Sequence, residues 1–283
     1  MNRPFSIKIF LPDGNPDGLR VIEKSNWTGV GLVFNRSIYQ EARKRSEFDR
    51  TGVYILVGPS ADSTMPVVYV GEGDPVKPRL ESHYSKKDFW TWGIFFSAKD
   101  ESINKAHVKY LESRLIELAQ KAKLCSLDND TGSNRPNLSE SDEADIESFL
   151  IDMLSIFPIV NLPVFESAEN NVQTTEMDRL YIKGKGLKGE GYESPKGFVV
   201  CKGSEVSKTS TKSFHNFLIS KRKDLLGQGV ISQDDVWIFT QDYIFNSPST
   251  AASAILGRNA NGRVEWKNGV GKTLKELQTM IGE

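Results

Sequence analysis

The sequence predicts an α/β (α+β) protein, and three observations lead to that prediction. Residues 53 to 57 and 67 to 70 are short apolar runs rich in β-branched residues, and the segment between them contains the turn formers Gly58 and Pro59. A third strand rich in aromatics, WGIFFSA, precedes a long stretch with apolar residues at helical spacing. Strands and helices alternate again after residue 179, so we expect a second, smaller α+β domain.

Length and composition are those of a globular chain. The 283 residues suffice for one large domain or two ordinary ones. No apolar run approaches the roughly 20 residues that cross a bilayer, and the N-terminus lacks a signal-peptide pattern. We therefore expect a cytoplasmic protein without a membrane partner. Cys125 and Cys201 lie far apart and form no CxxC pair, which favours reduced thiols over a disulfide or a zinc site.

Charge is distributed unevenly along the chain. Residues 126 to 178 hold 12 acidic residues and one basic residue, whereas residues 179 to 283 hold 16 basic and 10 acidic ones. The overall net charge of −1 argues against a nucleic-acid partner, but this separation leaves basic regions on both sides of an acidic one. We divide the chain into an N-terminal β-rich extension (1–49), a central domain (50–130), an acidic helix and linker (131–178) and a C-terminal domain (179–283).

The N-terminal extension is predicted to contain strands and one helix. SIKIFL and LRVIEK flank a segment with Asp-Gly pairs, which favour turns, and GVGLVFN follows as a third strand. Residues Ser37 to Phe48 are predicted to be helical, with Ile38, Ala42 and Arg45 on one side.

Two helices of the central domain carry candidate functional residues. Residues 76 to 84 are predicted to be helical, and Arg79 and His83, four residues apart, then project from the same face. A longer helix is predicted from about Ile103 to Lys123. Glu112 lies at the edge of its apolar stripe, where a carboxylate is costly unless it is paired or bound to a cation.

The order of residues across these elements resembles the GIY-YIG nuclease family. Gly-Val-Tyr at residues 52 to 54 is followed by Tyr-Val-Gly at residues 69 to 71, and Arg79 and His83 come next. Val53 and Val70 stand where the family most often has isoleucine, and valine keeps the β-branched character of the strands. The resemblance implies an antiparallel three-stranded sheet flanked by helices, and metal-dependent hydrolysis of DNA that leaves a 5′ phosphate and a 3′ hydroxyl.

The resemblance also implies a role for each of five side chains. Tyr54 would be the general base or the group that positions water, with Tyr69 as its hydrogen-bonding partner. Arg79 would stabilise the transition state, for which a permanently charged, bidentate phosphate binder is suited. His83 would assist proton transfer or bind phosphate. Glu112 would hold Mg²⁺ or Mn²⁺.

Further residues complete the expected site, and some have rival explanations. Gly52 and Gly71 would let the backbone pack closely; without the resemblance they are ordinary turn or bulge glycines. Asn129 is the candidate for an asparagine that the family often has after the glutamate helix. For Glu112 the alternatives are an ion pair with Lys109 or with an arginine across the sheet, or Glu117 as the carboxylate that holds the metal.

The acidic segment and the C-terminal domain follow. Ser139 is predicted to cap an amphipathic helix with acidic residues on its polar face. Beyond the linker, GFVVCKGS, FNSPSTAASAILGR and NGRVEWKNGVGKTLKEL closely resemble an uncharacterised domain, DUF4357, that accompanies some bacterial GIY-YIG proteins. We expect a strand from Phe198 to Cys201, a helix capped by Ser247, and tight turns at Asn261-Gly262 and Asn268-Gly269.

No catalytic pattern is visible in the C-terminal domain, but its basic residues make it a candidate DNA-binding surface. A solvated basic face of a protein-binding module explains them equally well. The candidates for DNA contact are Lys183, Lys185, Lys188, Lys221, Arg222 and Lys223.

Taken together, the sequence predicts a bacterial endonuclease that acts on DNA. Two alternatives stay open: a non-catalytic nucleic-acid-binding module, and a protein-interaction subunit of a repair or defence complex. The sequence does not decide the oligomeric state or the preferred DNA structure.

Overall fold

A computed structural model describes residues 4–129, 134–166, 179–184 and 186–280. The chain divides into two compact units, the first made of residues 1–61 and 65–165 and the second of residues 62–64 and 166–283. Both units mix helices with β-sheets, so the predicted α+β class with a second, smaller unit is confirmed. None of the helices in the described ranges is long and apolar enough to cross a bilayer.

A seven-stranded sheet forms the centre of the first unit. Neighbouring strands are antiparallel except for the last pair, β5 and β7, which is parallel. The sheet order is β1-β2-β3-β6-β4-β5-β7. The three strands expected from the family resemblance, β6-β4-β5, are thus part of a larger sheet that includes the N-terminal strands. The strands are β1 (Ile7–Phe10), β2 (Arg20–Lys24), β3 (Gly29–Asn35), β4 (Gly52–Gly58), β5 (Val67–Gly73), β6 (Trp92–Ala98) and β7 (Ser126–Leu127).

Two apolar cores lie on opposite faces of this sheet. Because side chains alternate along a strand, Val53, Ile55 and Val57 of β4 point to one face, and Tyr54 and Leu56 point to the other. The first face packs against the two long helices of the unit, α3 (Lys105–Ala122) and α4 (Glu140–Leu154). The second face is covered by aromatic residues and by α2 (Lys77–Lys86).

The helix predicted for residues 37 to 48 is wrong over most of its length. Only α1 (Tyr39–Ala42) is an α-helix, and 3₁₀ turns at Arg36–Ile38 and Ser46–Asp49 flank it. Arg45 has an extended backbone with ψ of 143°, which interrupts the helix. The bend lets Tyr39 and Phe48, whose rings lie 6.2 Å apart, both enter the core of the second face.

The acidic helix α4 starts and packs as the sequence predicts. The Ser139 hydroxyl accepts a hydrogen bond from the Asp142 amide, and the apolar face is buried. Part of its negative charge is matched by α3. Glu147 forms an ion pair with Arg114, and the Tyr110 hydroxyl lies 2.8 Å from a carboxylate oxygen of Glu147.

The second unit contains a four-stranded and a three-stranded sheet. The orders are β14-β10-β9-β8 and β11-β13-β12. The glycine-rich segment after residue 180 forms the hairpin β8–β9. The strands are β8 (Leu180–Gly184), β9 (Leu187–Ser194), β10 (Gly197–Val200), β11 (Glu205–Val206), β12 (Ile231–Gln233), β13 (Trp237–Phe239) and β14 (Tyr243–Phe245). The helices are α5 (Asn216–Gly227), α6 (Pro248–Leu256), α7 (Gly262–Glu265) and α8 (Leu274–Met280).

One predicted turn in this unit is wrong and one helix cap is confirmed. Ser247 caps α6 by accepting a hydrogen bond from the Thr250 amide, as expected. Asn261 and Gly262 do not form a hairpin turn; the Asn261 side chain instead accepts from the Arg263 amide and caps α7. An asparagine before a glycine suits either use, because its side chain bonds equally well to nearby amides in turns and at helix starts.

Close backbone packing limits the residues tolerated in the four-stranded sheet. A Cβ atom on Gly191 would lie 2.5 Å from the Val199 carbonyl oxygen and 2.7 Å from the Phe198 ring. We predict that Gly191→Ala lowers the free energy of unfolding of this sheet by about 1–3 kcal/mol, because neither backbone nor ring has room to move. Amide hydrogen exchange of peptides from β9 and β10 measures this local stability.

The matched control is Gly227→Ala in α5 of the same unit. A Cβ atom there meets nothing within 4 Å, so alanine should be neutral or stabilise by at most about 1 kcal/mol. Equal exchange rates in the Gly191→Ala variant and the wild type would contradict the prediction.

Candidate active site

Strand pairing brings the two motif tyrosines together on one face of the sheet. Tyr54 of β4 lies directly opposite Gly71 of β5, and Tyr69 lies opposite Leu56. Both tyrosines therefore point to the same side, and their ring centroids are 6.2 Å apart. Tyr54 is fully buried and Tyr69 is partly exposed.

Gly71 is required by the position of the Tyr54 ring. A Cβ atom on Gly71 would lie 2.4 Å from the Tyr54 hydroxyl oxygen and 2.8 Å from the Tyr69 ring. Gly52 has a different reason: a Cβ atom there would lie 2.6 Å from the carbonyl oxygen of Phe96 on β6. Gly71 thus makes room for the candidate site, and Gly52 makes room for the pairing of the sheet.

Helix α2 adds Arg79 and His83 to the tyrosines. The His83 imidazole lies 4.7 Å from the Tyr69 ring and 5.8 Å from the Tyr54 ring, measured between centroids. Arg79, one helical turn earlier, is exposed, and its positive charge acts on both tyrosines. Four of the predicted site residues therefore lie close together: Tyr54, Tyr69, Arg79 and His83.

Burial dominates the protonation of the tyrosines. It raises the pKa of Tyr54 well above its ordinary value, and it raises the pKa of Tyr69 as well. Arg79 opposes this effect but does not overcome it. The Tyr54 hydroxyl is buried, and its polar neighbours are the side chains of Arg79 and Tyr69. Both phenols are therefore neutral at pH 7.

His83 is neutral for related reasons. Burial, and then the charges of Arg79 and Lys87, lower the pKa of the imidazole to about 4. Its Nε2 atom is buried without a hydrogen-bond partner among the described residues. A neutral imidazole exchanges protons or hydrogen bonds with its neighbours but contributes no charge to phosphate binding.

Glu112 on α3 is electrostatically coupled to this cluster. Burial is the main cause of the raised pKa of Tyr54 and of Tyr69, and the negative charge of Glu112 adds to it. The side chain is partly buried, whereas the rival carboxylate Glu117 is exposed and pairs with Arg114 and Arg135. Among the described residues no group of three or more His, Cys, Asp and Glu is arranged to hold a metal ion. A metal at Glu112 would thus have fewer than three such side chains as ligands, which suits Mg²⁺ because that ion usually keeps several waters.

Two residues of the cluster were not singled out in the sequence. The Lys87 ammonium lies 4.6 Å from the centroid of the Tyr69 ring, within cation–π range, and pairs with Asp128. Lys87 follows His83 by four residues, as His83 follows Arg79, so helical spacing was a signal that could have found it. Asp128 had no such signal, because the parallel pairing of β7 with β5 brings it there.

Arg36 fixes the C-terminal end of α2. Its guanidinium donates to the carbonyl oxygens of Tyr84 at 2.7 Å and Lys87 at 2.8 Å. It also stacks on Tyr84 and Trp90, 4.8 and 4.5 Å from the ring centroids. Carbonyls at the end of a helix lack partners within the helix, and a cation also complements the helix dipole there. Arg36 therefore positions the helix that carries the candidate catalytic residues.

Asn129 lies at the edge of the site and binds backbone. Its side-chain oxygen accepts from the Val70 amide at 3.0 Å, and its side-chain nitrogen donates to the Val70 carbonyl at 2.7 Å. Both groups of the amide are thus used to extend the sheet beside β5. In this structure Asn129 positions the strand between Tyr69 and Gly71.

The predicted DNA-binding residues of the second unit do not share one environment. Lys183, Lys188 and Lys223 are exposed. Arg222 is only 5% exposed and donates to the Ser207 carbonyl, so it does not belong to a basic surface, and its prediction is corrected. The cause is helix position, because Arg222 lies on the face of α5 that also buries Leu218 and Leu225.

The remaining two candidates for DNA contact are Lys221 and Lys185. Lys221 is half-buried, and its ammonium donates to the Tyr243 hydroxyl at 3.0 Å. Burial lowers its pKa. Lys185 lies outside the described residues.

Fold and geometry thus define an α+β chain in which a tyrosine, histidine and arginine cluster lies in the first unit. Residues 180–278 match the family model of a domain of unknown function, DUF4357, so the resemblance proposed for the second unit is confirmed. No curated protein and no solved structure matches the chain. The match does not reach residues 52 to 83, whose resemblance to GIY-YIG nucleases rests on their motif.

The electrostatics of the cluster predict an unusual titration of His83. In the protein without added metal, the His83 imidazole should titrate at about pH 4, followed by nuclear magnetic resonance. Arg79→Ala and Lys87→Gln should each raise this pKa toward the ordinary 6.5, because each removes a positive charge that disfavours the imidazolium. Because the folded state disfavours the charged imidazole, the stability that neutral His83 contributes is present above pH 6.5 and is lost as the pH falls through about 4.

Lys105→Gln is the control for this titration. Lys105 is an exposed lysine that pairs with Glu72, and its charge is not among those that lower the pKa of His83. A wild-type His83 that titrates near 6.5 would contradict the prediction, because it would show that the imidazole is exposed to water.

Proposed function

We propose that the first unit is a GIY-YIG endonuclease that hydrolyses DNA phosphodiester bonds with a divalent metal. The observation that carries the proposal is the convergence of the motif side chains. Tyr54, Tyr69 and His83 have ring centroids within 6.2 Å of one another, and the charges of Arg79 and Glu112 act on both tyrosines. Phosphodiester hydrolysis needs such a set: a group that directs water, a cation for the phosphate, and a metal ligand.

Arg79 is assigned to the phosphate. Its guanidinium is exposed, so a phosphate can reach it from solvent, and it is already oriented toward the tyrosines by α2. Arginine binds two phosphate oxygens at once and stays charged at all physiological pH values. In the transition state it stabilises the negative charge that develops on the phosphate oxygens.

Tyr54, Tyr69 and His83 are assigned to water and its proton. A neutral phenol accepts a hydrogen bond from water but is a poor base, because it already carries its proton and the raised pKa keeps Tyr54 in that form at pH 7. Of the two roles considered for His83, its neutral state at pH 7 favours proton transfer over phosphate binding. The negative charge of a bound phosphate would raise the pKa of His83 and make it a better proton acceptor.

Glu112 is assigned to Mg²⁺ or Mn²⁺. Bound there, the ion supplies Lewis acid stabilisation of phosphate charge. The chain itself contributes a partly buried carboxylate whose negative charge acts on Tyr54 and Tyr69, and a hard cation prefers such carboxylate oxygens.

The test is cleavage of supercoiled plasmid, branched oligonucleotides and single strands, with Mg²⁺, Mn²⁺ or EDTA. We expect metal-dependent cutting by the wild type. Arg79→Ala should reduce the rate by about 10²–10³-fold, the cost of losing one donor to transition-state charge. Glu112→Gln should abolish metal-dependent cutting, because the amide is a much weaker ligand for a hard cation.

Glu117→Gln is the matched control for Glu112→Gln. Glu117 lies on the same helix, is exposed and pairs with surface arginines, so its loss should leave the rate within about twofold. Equal losses of cleavage rate in Glu112→Gln and Glu117→Gln would show that Glu112 is not the metal ligand. A folded wild-type protein that cuts none of these substrates would refute the nuclease proposal and favour the binding-module alternative.

A further inference from the structure

The outer face of the hairpin β8–β9 carries an exposed aromatic ring among exposed cations. Tyr181 is 38% exposed on β8, and Lys183 follows two residues later on the same face. Lys183 lies directly opposite Lys188 of β9. Side chains of paired residues point to the same side of a sheet, so both lysines flank the tyrosine along the strands.

A third lysine reaches the other side of Tyr181. The Tyr181 amide donates to the Lys267 carbonyl at 2.6 Å, and the Lys267 amide donates back to Tyr181 at 2.9 Å. This bridge places the exposed Lys267 side chain next to the tyrosine. We call the four residues Tyr181, Lys183, Lys188 and Lys267 the Tyr181 face.

None of the three lysines of the Tyr181 face forms an ion pair within the described residues, although Lys267 interacts electrostatically with Glu276. Two carboxylates beside the hairpin are engaged elsewhere: Glu190, opposite Tyr181, pairs with Arg179 at 2.8 Å, and Glu205 accepts a hydrogen bond from the Lys188 backbone amide. Like charges directly opposite each other destabilise a sheet, so the pairing of Lys183 with Lys188 favours an anionic partner.

We propose that the Tyr181 face binds single-stranded nucleic acid. The lysines contact the phosphates and the tyrosine ring stacks on a base, which is the combination by which proteins hold unpaired strands on a sheet. A duplex fits less well, because its bases are stacked on each other and offer no face to the ring. Binding here is separate from the proposed nuclease function, since every residue of this face belongs to the second unit.

The test is fluorescence anisotropy of the full-length protein with a labelled 20-nucleotide DNA strand, and with the matching duplex, in EDTA to prevent cleavage. The wild type should bind the single strand more tightly than the duplex. Tyr181→Ala should weaken single-strand binding about five- to a hundred-fold, the loss typical of one stacked base, whereas Tyr181→Phe should bind like the wild type. Lys183→Gln combined with Lys188→Gln should weaken binding and reduce its dependence on salt.

The control is Lys208→Gln combined with Lys212→Gln, which removes the same charge from two exposed lysines of the same unit outside this face. Unchanged single-strand affinity in both Tyr181→Ala and the Lys183, Lys188 variant would overturn the proposal. So would equal losses in the two double lysine variants, because that result reports net charge alone. Cleavage plays no part in these measurements, so a failed nuclease assay leaves the result interpretable.

Discussion

The candidate site depends on the close approach of β4 and β5. Tyr54 crosses the strand pair so that its hydroxyl oxygen lies 2.4 Å from where a Cβ atom on Gly71 would be. Only glycine allows this arrangement, and the same pairing sets Tyr69 beside Tyr54 and turns both toward α2. Once β4 and β5 are paired in register, the short segment that joins β5 to α2 restricts the positions of Arg79 and His83. Gly71 is thus required for packing, and that packing determines which side chains come together at the candidate site.

The electrostatic state of the cluster follows from that packing. Burial keeps the phenols and the imidazole neutral, and the two charged groups, Arg79 and Glu112, act on them from α2 and α3. A site of this kind holds several groups whose protonation is sensitive to the arrival of charge. A phosphate and a cation would therefore change the proton affinities of residues that are unreactive in the protein alone.

Much of the fold and of the candidate site could be predicted from the sequence, and the failures have physical causes. The β-branched runs, the apolar stripe of α3 and the cap of α4 are local signals, and all of them correspond to observed elements. The break at Arg45 and the burial of Arg222 were missed, since both depend on which helix face meets a core. The cap formed by Asn261 was mistaken for a turn because one dipeptide serves both. The positions of Asp128 and Arg36 follow from tertiary pairing, which leaves no mark on neighbouring residues in the sequence.

The N-terminal strands have a consequence for how the central domain is inherited. β3 pairs with β6 over its whole length, from Gly29 opposite Ala98 to Asn35 opposite Trp92, and Arg36 closes the end of α2. A segment cut out at residue 50 would expose the backbone of β6 as a long apolar edge, which invites aggregation. The segment of some eighty residues that carries the motif is therefore not expected to fold by itself. Recombination between genes would have to carry the first fifty residues with it to give a folded product.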